Sequence, residues 1–243
     1  PYVDLLIDYL STTCAIFSPK KLESYTVVAM RHGNHETLRD RVYEGVKSNI
    51  ITGQYGEGDR LSAAKVSEEH QVSLSVAREA LTLVVARGLA TALPGRGFRV
   101  ASLSKDEFHH LTEVRCGSES IALTMSITEG DDEWAARVRA SHEAMETAMR
   151  QPGGRESQEW HRTHSEFHES LISACPVTSL VDYCMSLRDV TTMYRSRTQK
   201  AADASTREVA VEHRELKDAA LAGHAQFASA LIVAHYWRSF HAL

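Results

Sequence analysis

A run of helix signals in the first half of the chain places the strongest constraint on the fold. Apolar side chains recur every four residues over residues 38 to 50, and Gly53 ends the pattern, so an amphipathic helix is predicted there. A second, short helix is predicted over residues 62 to 70. A third, over residues 74 to 87, follows a capping serine and ends at Gly88. Helices this short must share one core.

Two short β-like runs follow the third helix, at residues 89 to 93 and 98 to 103. They flank Pro94-Gly95-Arg96-Gly97, whose two glycines permit the positive φ angles of a tight hairpin. Three helices and a basic hairpin within about 65 residues form the layout of a winged helix-turn-helix, whose third helix enters the DNA major groove N-terminus first.

This geometry assigns DNA contacts to the start of the third helix, where free amides and the helix dipole favour anions, and to the hairpin tip. Two further basic side chains are expected to contact phosphates. The predicted DNA-binding residues are Arg60, Lys65, Ser73, Ser75, Arg78, Gly95, Arg96 and Gly97. The alternative is that Arg78 belongs to a solvated helix face and that the hairpin tip is an ordinary turn.

The formal net charge of −5 argues, as an average, against a nucleic-acid binder, because phosphate contacts draw on Lys and Arg. The charge is unevenly distributed, however. Residues 30 to 103 carry ten basic and eight acidic side chains, whereas residues 104 to 243 carry fifteen and twenty-one. This asymmetry indicates two domains with different partners.

Strand signals end near residue 103, which is the predicted domain boundary. Helices are predicted from a capping box at Ser104 and Glu107, then at roughly 131 to 150, 157 to 174, 178 to 199, 205 to 222 and 226 to 241, with a second capping box at Ser205 and Glu208. The predicted fold class is mainly α, with an N-terminal winged helix-turn-helix and a C-terminal all-α helical-bundle effector domain. Residues 1 to 29, which precede Met30, show no sustained period and are interpreted as an extension of uncertain status.

The compartment is predicted from the cysteines and from the apolar runs. The four cysteines include no C-x-x-C pair, and the chain shows no secretory signal, so reduced cytoplasmic thiols are expected. No segment approaches the roughly 18 unbroken apolar residues of a membrane helix, so no membrane partner is expected.

Four histidines form a candidate metal site in the C-terminal half. His164 and His168 are four residues apart on a predicted helix, so both project from one face. His213 and His235 lie on the last two predicted helices, and Gly223 between them allows an antiparallel turn. The four imidazoles can therefore converge inside a bundle. The H-x-x-x-H spacing alone is weakly specific, and a satisfied or solvated helix face is the alternative.

Several blocks of the N-terminal half resemble the GntR family of bacterial transcription regulators, over about residues 36 to 102. The blocks are Ile51-Thr-Gly-Gln-Tyr-Gly-Glu-Gly-Asp-Arg-Leu61, Val72-Ser-Leu-Ser-Val-Ala-Arg-Glu-Ala-Leu81, Ala86-Arg-Gly-Leu89 and Arg96-Gly-Phe-Arg-Val100. The sequence departs from the family where Leu74 replaces a usual Arg and Val76 a usual Pro. A usual Leu-Gly pair is replaced by His70 and Gln71.

Residues 107 to 241 are similar to the FCD effector domain of the FadR-like GntR subgroup. The matching marks are Leu111-Thr-Glu-Val-Arg115-x-x-x-Glu119, Phe167-His168-x-x-Leu171, Glu212-His213-x-x-Leu216 and Ala234-His235. In that family an Asp or Asn precedes the middle histidine by four residues, and three histidines complete a divalent metal site. The resemblance implies a metal site at His164, His168, His213 and His235, with His164 at the Asp position.

An imidazole in place of the carboxylate favours nitrogen-preferring Zn, Ni or Cu over Mn, so zinc or nickel is the expected divalent metal. It also raises the charge of the site by one, which favours an anionic effector. We expect a small carboxylate to complete the coordination, with Arg115 as an additional anion partner. The alternative for Arg115 is a helix-surface pair with Glu119.

The sequence predicts a ligand-responsive transcription regulator and not an enzyme. Operator DNA and a small-molecule carboxylate are the expected partners, and a homodimer is expected because one recognition helix covers only a half-site. One alternative is a helical metallohydrolase with Glu166 as general base, which leaves the N-terminal half unexplained. Another is a metal-binding helical interaction protein.

Overall fold

The computed structural model describes residues 37 to 102, 104 to 198 and 209 to 242. The predicted extension at residues 1 to 29 and the capping box that begins at Ser205 lie outside the described residues. Within those ranges the fold is mainly α, with nine α-helices and one three-stranded sheet. This agrees with the predicted fold class.

Three helices and three strands make up the N-terminal part. The helices are α1 (Leu38–Ile51), α2 (Ala63–Glu69) and α3 (Leu74–Ala86), and the strands are β1 (Arg60–Leu61), β2 (Ala90–Leu93) and β3 (Gly97–Val100). Each helix begins at a side-chain cap. Ser73 caps α3, as predicted, Thr37 forms a capping box with Asp40, and Ser62 accepts a hydrogen bond from an amide of the first turn of α2.

The sheet differs from the predicted hairpin in two respects. The strand order is β1-β3-β2, so a third strand, too short to show alternation, pairs with the far side of the hairpin. The second hairpin strand was predicted over residues 98 to 103, but β3 begins at Gly97 and ends at Val100, because Gly97 already pairs with Leu93. The φ angles of Gly95 and Gly97, +68° and +86°, confirm the predicted left-handed turn.

A separate hydrophobic core holds the three N-terminal helices and the sheet together. The apolar stripe of α1 supplies Val46 and Ile50, and α3 supplies Leu81 and Val84, all of them fully buried. The turn between α2 and α3 contains Gln71, whose φ of +53° is the one positive φ of a non-glycine residue in the described ranges.

The C-terminal part consists of helices only. They are α4 (Lys105–Glu129), α5 (Asp132–Met149), a short 3₁₀ turn (Gly154–Glu156), α6 (Gln158–Ile172), α7 (Thr178–Thr198), α8 (Val209–Leu221) and α9 (Ala225–His241). The Ser104–Glu107 capping box at the start of α4 is present as predicted. Helices α4 and α9 pack side by side, as do α5 and α6, around a core that includes Leu123, Phe167 and Ile232.

Helix α7 belongs to both parts of the fold. Its Met193 is fully buried in the N-terminal core, while its Cys184 is buried in the C-terminal one. Asp189 of the same helix accepts a hydrogen bond from the phenol of Tyr43 in α1 at 2.6 Å. Arg87, just after α3, donates to the Asp182 carbonyl and to Ser186 Oγ at 2.9 Å each.

In the part of the chain that the structure describes, no helix combines the length and the apolar character that crossing a membrane requires.

Candidate metal centre and nucleic-acid interface

The structure brings together the four histidines that the sequence singles out. His164 and His168 lie one turn apart on α6, His213 lies on α8 and His235 on α9. All four are buried, and each offers a ring nitrogen within 4.8 Å of those of the others. Three helices thus converge their imidazoles on one point, an arrangement that can hold a metal ion.

The chemistry of these rings fits a metal. The Nε2 atoms of His164 and His168 are buried and have no hydrogen-bond partner among the described residues. Burial lowers the pKa of His164 well below its usual value, and neighbouring positive charges, Arg188 among them, lower this pKa further. A neutral imidazole is the form that coordinates a metal.

Two hydrogen bonds behind the rings set which nitrogen faces the centre of the cluster. His235 Nδ1 lies 2.9 Å from a carboxylate oxygen of Glu212, so Nδ1 carries the proton and Nε2 the lone pair. His168 Nδ1 lies 3.3 Å from the phenol oxygen of Tyr236, which itself donates to Glu119. Such outer partners orient metal-binding histidines and fix their tautomers.

A buried layer of charges adjoins the histidines. Arg115 Nε donates to Glu119 at 2.5 Å, and Arg115 Nη1 donates to Thr191 Oγ1 at 3.1 Å. Arg188 Nη2 donates to the other oxygen of Glu119 at 3.0 Å. The sequence left open whether Arg115 binds an anion or pairs with Glu119 on the helix surface. The pair with Glu119 is present, but it is buried in the core. Burial opposes ionisation of Glu119, yet the two arginines hold the pKa of its carboxyl below the usual value.

Sequence reasoning missed Arg188. Nothing in its local sequence separates it from a solvated arginine of α7, and its role follows only from the packing of α7 against α4. Its side chain is 3% exposed.

Glu166, the candidate general base of the hydrolase alternative, does not point into the cluster. Glu166 lies on the opposite face of α6, exposed, and forms an ion pair with Arg162. Burial raises the pKa of the Cys116 and Cys184 thiols to about 12, which keeps both sulfurs protonated. Glu166 is therefore not placed to act on a group bound at the histidines.

The start of α3 presents a polar, exposed surface. Ser73 uses its hydroxyl to cap the helix, accepting from the Val76 amide at 3.3 Å, and Ser75 lies 3.4 Å from Glu79. Arg78 is exposed on the next turn. Leu74 is exposed by 43%, an unusual position for an apolar side chain.

The hairpin of β2 and β3, with β1 beside it, forms the wing of the winged helix-turn-helix, and it carries a cluster of three arginines. Arg60 of β1 stands directly opposite Arg99 of β3, and both line, with Leu93, Gly95 and Arg96, an open pocket of about 230 Å³. Like charges opposite each other on paired strands are unfavourable without an anion, so the pocket is suited to a phosphate. The sequence prediction included Arg60 and Arg96 but missed Arg99, because β1 was not predicted.

Lys65, the remaining predicted phosphate contact, is exposed on α2. Its ammonium lies 3.4 Å from the carboxylate of Glu69 and above the ring of Tyr55.

Two family models match the chain. The model described as bacterial regulatory proteins, gntR family, matches residues 38–100, and the FCD domain model matches residues 110–237. Among curated proteins, the HTH-type transcriptional regulator BphR of Paraburkholderia xenovorans is 32% identical over 206 residues, which cover 83% of each chain. The HTH-type transcriptional repressor GlaR of Escherichia coli is 28% identical, over 63% of this chain and 70% of its own.

Solved structures share the fold. McbR/YncC of E. coli superposes with a TM-score of 0.72 at 17% identity, over 83% of this chain and 94% of its own. A GntR transcriptional regulator from Rhodococcus sp. RHA1 gives a TM-score of 0.66 at 19% identity, over 84% and 95%. With both domain models matched in order along one chain, the protein belongs to the GntR family of bacterial HTH-type transcriptional regulators, in the group that carries an FCD domain.

Proposed function

We propose that this regulator senses a small carboxylate through a divalent metal ion held by His164, His168, His213 and His235. The proposed division of labour assigns operator reading to residues 30 to 103 and ligand sensing to residues 104 to 243. The observation that carries the proposal is the convergence of four buried imidazoles within 4.8 Å.

The donor set supports zinc or nickel. Four neutral nitrogens and no carboxylate make a site that suits borderline metals and is poor for Mn²⁺, which prefers oxygen. The site then keeps the full charge of the ion, and a carboxylate effector compensates it. Arg115 remains a candidate anion partner, although Glu119 and Thr191 already engage two of its nitrogens.

The proposed DNA surface joins the start of α3 to the wing. Arg78 is the proposed base reader, because the first turns of a recognition helix face base edges. The remaining proposed contacts, to phosphate and groove, are Arg60, Lys65, Ser73, Ser75, Gly95, Arg96 and Gly97, to which the wing pocket adds Arg99. We further propose a homodimer on a palindromic operator, since one recognition helix reads a half-site. A cytoplasmic location stays a prediction, consistent with DNA as the partner.

The metallohydrolase alternative is not supported. The relatives named above are transcriptional regulators, a class of proteins that are in general not enzymes, and Glu166 faces away from the histidines.

Metal analysis of the full chain tests the proposal. We expect about one zinc or nickel ion per chain after loading, and a lower melting temperature after chelation, because a ligand at 100 times its Kd stabilises by about 2.7 kcal/mol. His168→Ala should abolish both effects. His224→Ala, at the exposed start of α9, is the matched control and should change neither.

The proposal fails if the loaded wild-type chain retains no metal. It also fails if no small carboxylate changes the melting temperature of the metal-loaded protein.

A further inference from the structure

The first turns of α4 carry a second group of metal-binding side chains. His109, His110 and Glu113 each offer a ligand atom, and these atoms lie within 4.8 Å of one another. His110 and Glu113 are exposed and His109 is partly exposed, in contrast to the four buried histidines described above. The proposed function uses none of these three side chains.

The spacing along α4 places the group on one helix face. Positions 106, 109, 110 and 113 follow the i, i+3, i+4, i+7 pattern, in which side chains of successive turns are neighbours. Asp106 precedes the two histidines and is exposed, and Glu113 follows them. The face therefore combines two imidazoles with two carboxylates, a set of donors and charges that favours a divalent cation.

His109 and Glu113 have a separation that suits two ligands of one ion. Nδ1 of His109 lies 3.9 Å from Oε2 of Glu113, which is beyond hydrogen-bond range. Zinc binds nitrogen and oxygen at about 2.0 to 2.2 Å, so two ligands of a tetrahedral ion stand about 3.4 Å apart. Small rotations of these solvent-accessible side chains bring both atoms onto one ion, and His110 supplies a third ligand.

Packing holds one member of the group in place. The ring centroid of His109 lies 5.1 Å from that of Trp237 and 5.2 Å from that of Phe240, both on α9. These contacts restrict the imidazole, so less side-chain entropy is lost when it binds an ion. His110 and Glu113 complete the set from the solvent side, and a fourth position is left to water, as in other three-ligand zinc sites.

We infer that His109, His110 and Glu113 form a second site for zinc, open to solvent and separate from the buried histidine cluster. The inference goes beyond the proposed function and does not depend on it. With three ligands and free access to water, the site exchanges its ion readily. It is therefore occupied in equilibrium with free zinc and emptied when free zinc is removed, whereas the buried cluster accounts for the ion retained after loading.

Zinc counted by equilibrium dialysis of the full chain tests the inference. Excess magnesium is present throughout, because it prefers oxygen ligands and should not compete. We expect the double variant His110→Ala with Glu113→Gln to bind one zinc ion fewer than the wild type. Each single change should weaken the site at least tenfold, since losing even an outer partner of a ligand costs about 10- to 100-fold in affinity. Both side chains are exposed, so the metal-free variants should melt as the wild type does.

His224→Ala with Glu143→Gln is the matched control, because it removes the same two residue types from exposed positions of α9 and α5. It should bind as much zinc as the wild type. The inference is overturned if the double variant in α4 binds as much zinc as the wild type, or if the control loses an equal amount.

His168→Ala separates this inference from the proposed function. It should remove the ion retained after free zinc is washed away, and it should leave the ion counted at α4 unchanged. A wild-type chain that retains no ion but still differs from the α4 variant by one zinc at equilibrium contradicts the proposed function alone. The two failures are therefore distinguishable.

Discussion

Arg188 and Asp189 are consecutive residues of α7 that bond to opposite parts of the protein. Arg188 donates to Glu119 beside the histidine cluster at 3.0 Å, whereas Asp189 accepts from Tyr43 in the first N-terminal helix at 2.6 Å. Both side chains are buried. Helix α7 therefore links the side chains beside the histidine cluster to the N-terminal part that carries the proposed DNA-binding helix.

Removing the Tyr43 hydroxyl tests the strength of this connection. Tyr43→Phe keeps the ring but deletes the donor to Asp189, whose remaining partner among the described residues is Lys47 at 3.6 Å. We expect the free energy of unfolding to fall by about 1.5 to 3 kcal/mol, the range for buried hydrogen bonds to charged groups. Urea unfolding of the wild type and the variant measures this change in the free energy of unfolding. Tyr183→Phe, on the exposed side of α7, should cost much less, and equal losses in the two variants would contradict the account.

The left-handed φ of Gln71 predicts a stabilising substitution. A residue with a side chain pays a penalty at a φ of +53° that glycine does not, and the family usually places glycine here. Gln71→Gly should raise the free energy of unfolding by about 0.5 to 1 kcal/mol, the penalty less the added entropy of the unfolded chain. Gln71→Ala keeps the penalty and should give no gain in the same urea experiment. An equal gain from alanine would show that the backbone angle is not the cause.

The arginine pair of the wing predicts a change in the salt dependence of DNA binding. If Arg99 and Arg60 hold a phosphate in their pocket, Arg99→Ala removes about one phosphate contact. The slope of log K against log salt should then become shallower by about 0.9. Anisotropy titrations of labelled duplex at several salt concentrations give the slope. Arg137→Ala, exposed on α5, is the control, and a slope unchanged in Arg99→Ala would exclude the pocket from the interface.

A substitution at Leu74 should make the salt dependence of DNA binding steeper rather than shallower. Its exposed side chain stands at the first position of α3, where the family usually has Arg. Leu74→Arg should add one electrostatic contact, steepen the salt slope by about 0.9 and tighten binding to DNA of any sequence. Leu74→Gln, which adds length without charge, is the matched variant. If both leave the salt slope as it is in the wild type, this surface does not face the DNA.

The sequence predicted those features that depend on local periodicity. Helix caps at Ser73 and Ser104 follow from short spacings, and so does the pairing of His164 with His168 on one helix face. Features set by long-range packing were not predictable in this way.

Strand β1 is two residues long and exists only because β3 pairs with it, so the contribution of Arg99 could not be inferred. The buried roles of Arg188 and Asp189 likewise depend on where α7 lies between two cores. The predicted helices and Gly223 allowed His213 and His235 to converge on the first pair, and the resemblance implied that they form one metal site with it.

Binding of DNA with and without ligand tests the central claim most directly. A duplex recovered by the wild-type chain from a random library is titrated with zinc-loaded protein, in the presence and absence of the small carboxylate that raises its melting temperature most. The account predicts a change in Kd within the 5- to 150-fold range typical of allosteric coupling, about tenfold, and its loss in His168→Ala. A Kd that stays the same when the ligand saturates the protein, or a chain that recovers no duplex, would contradict it.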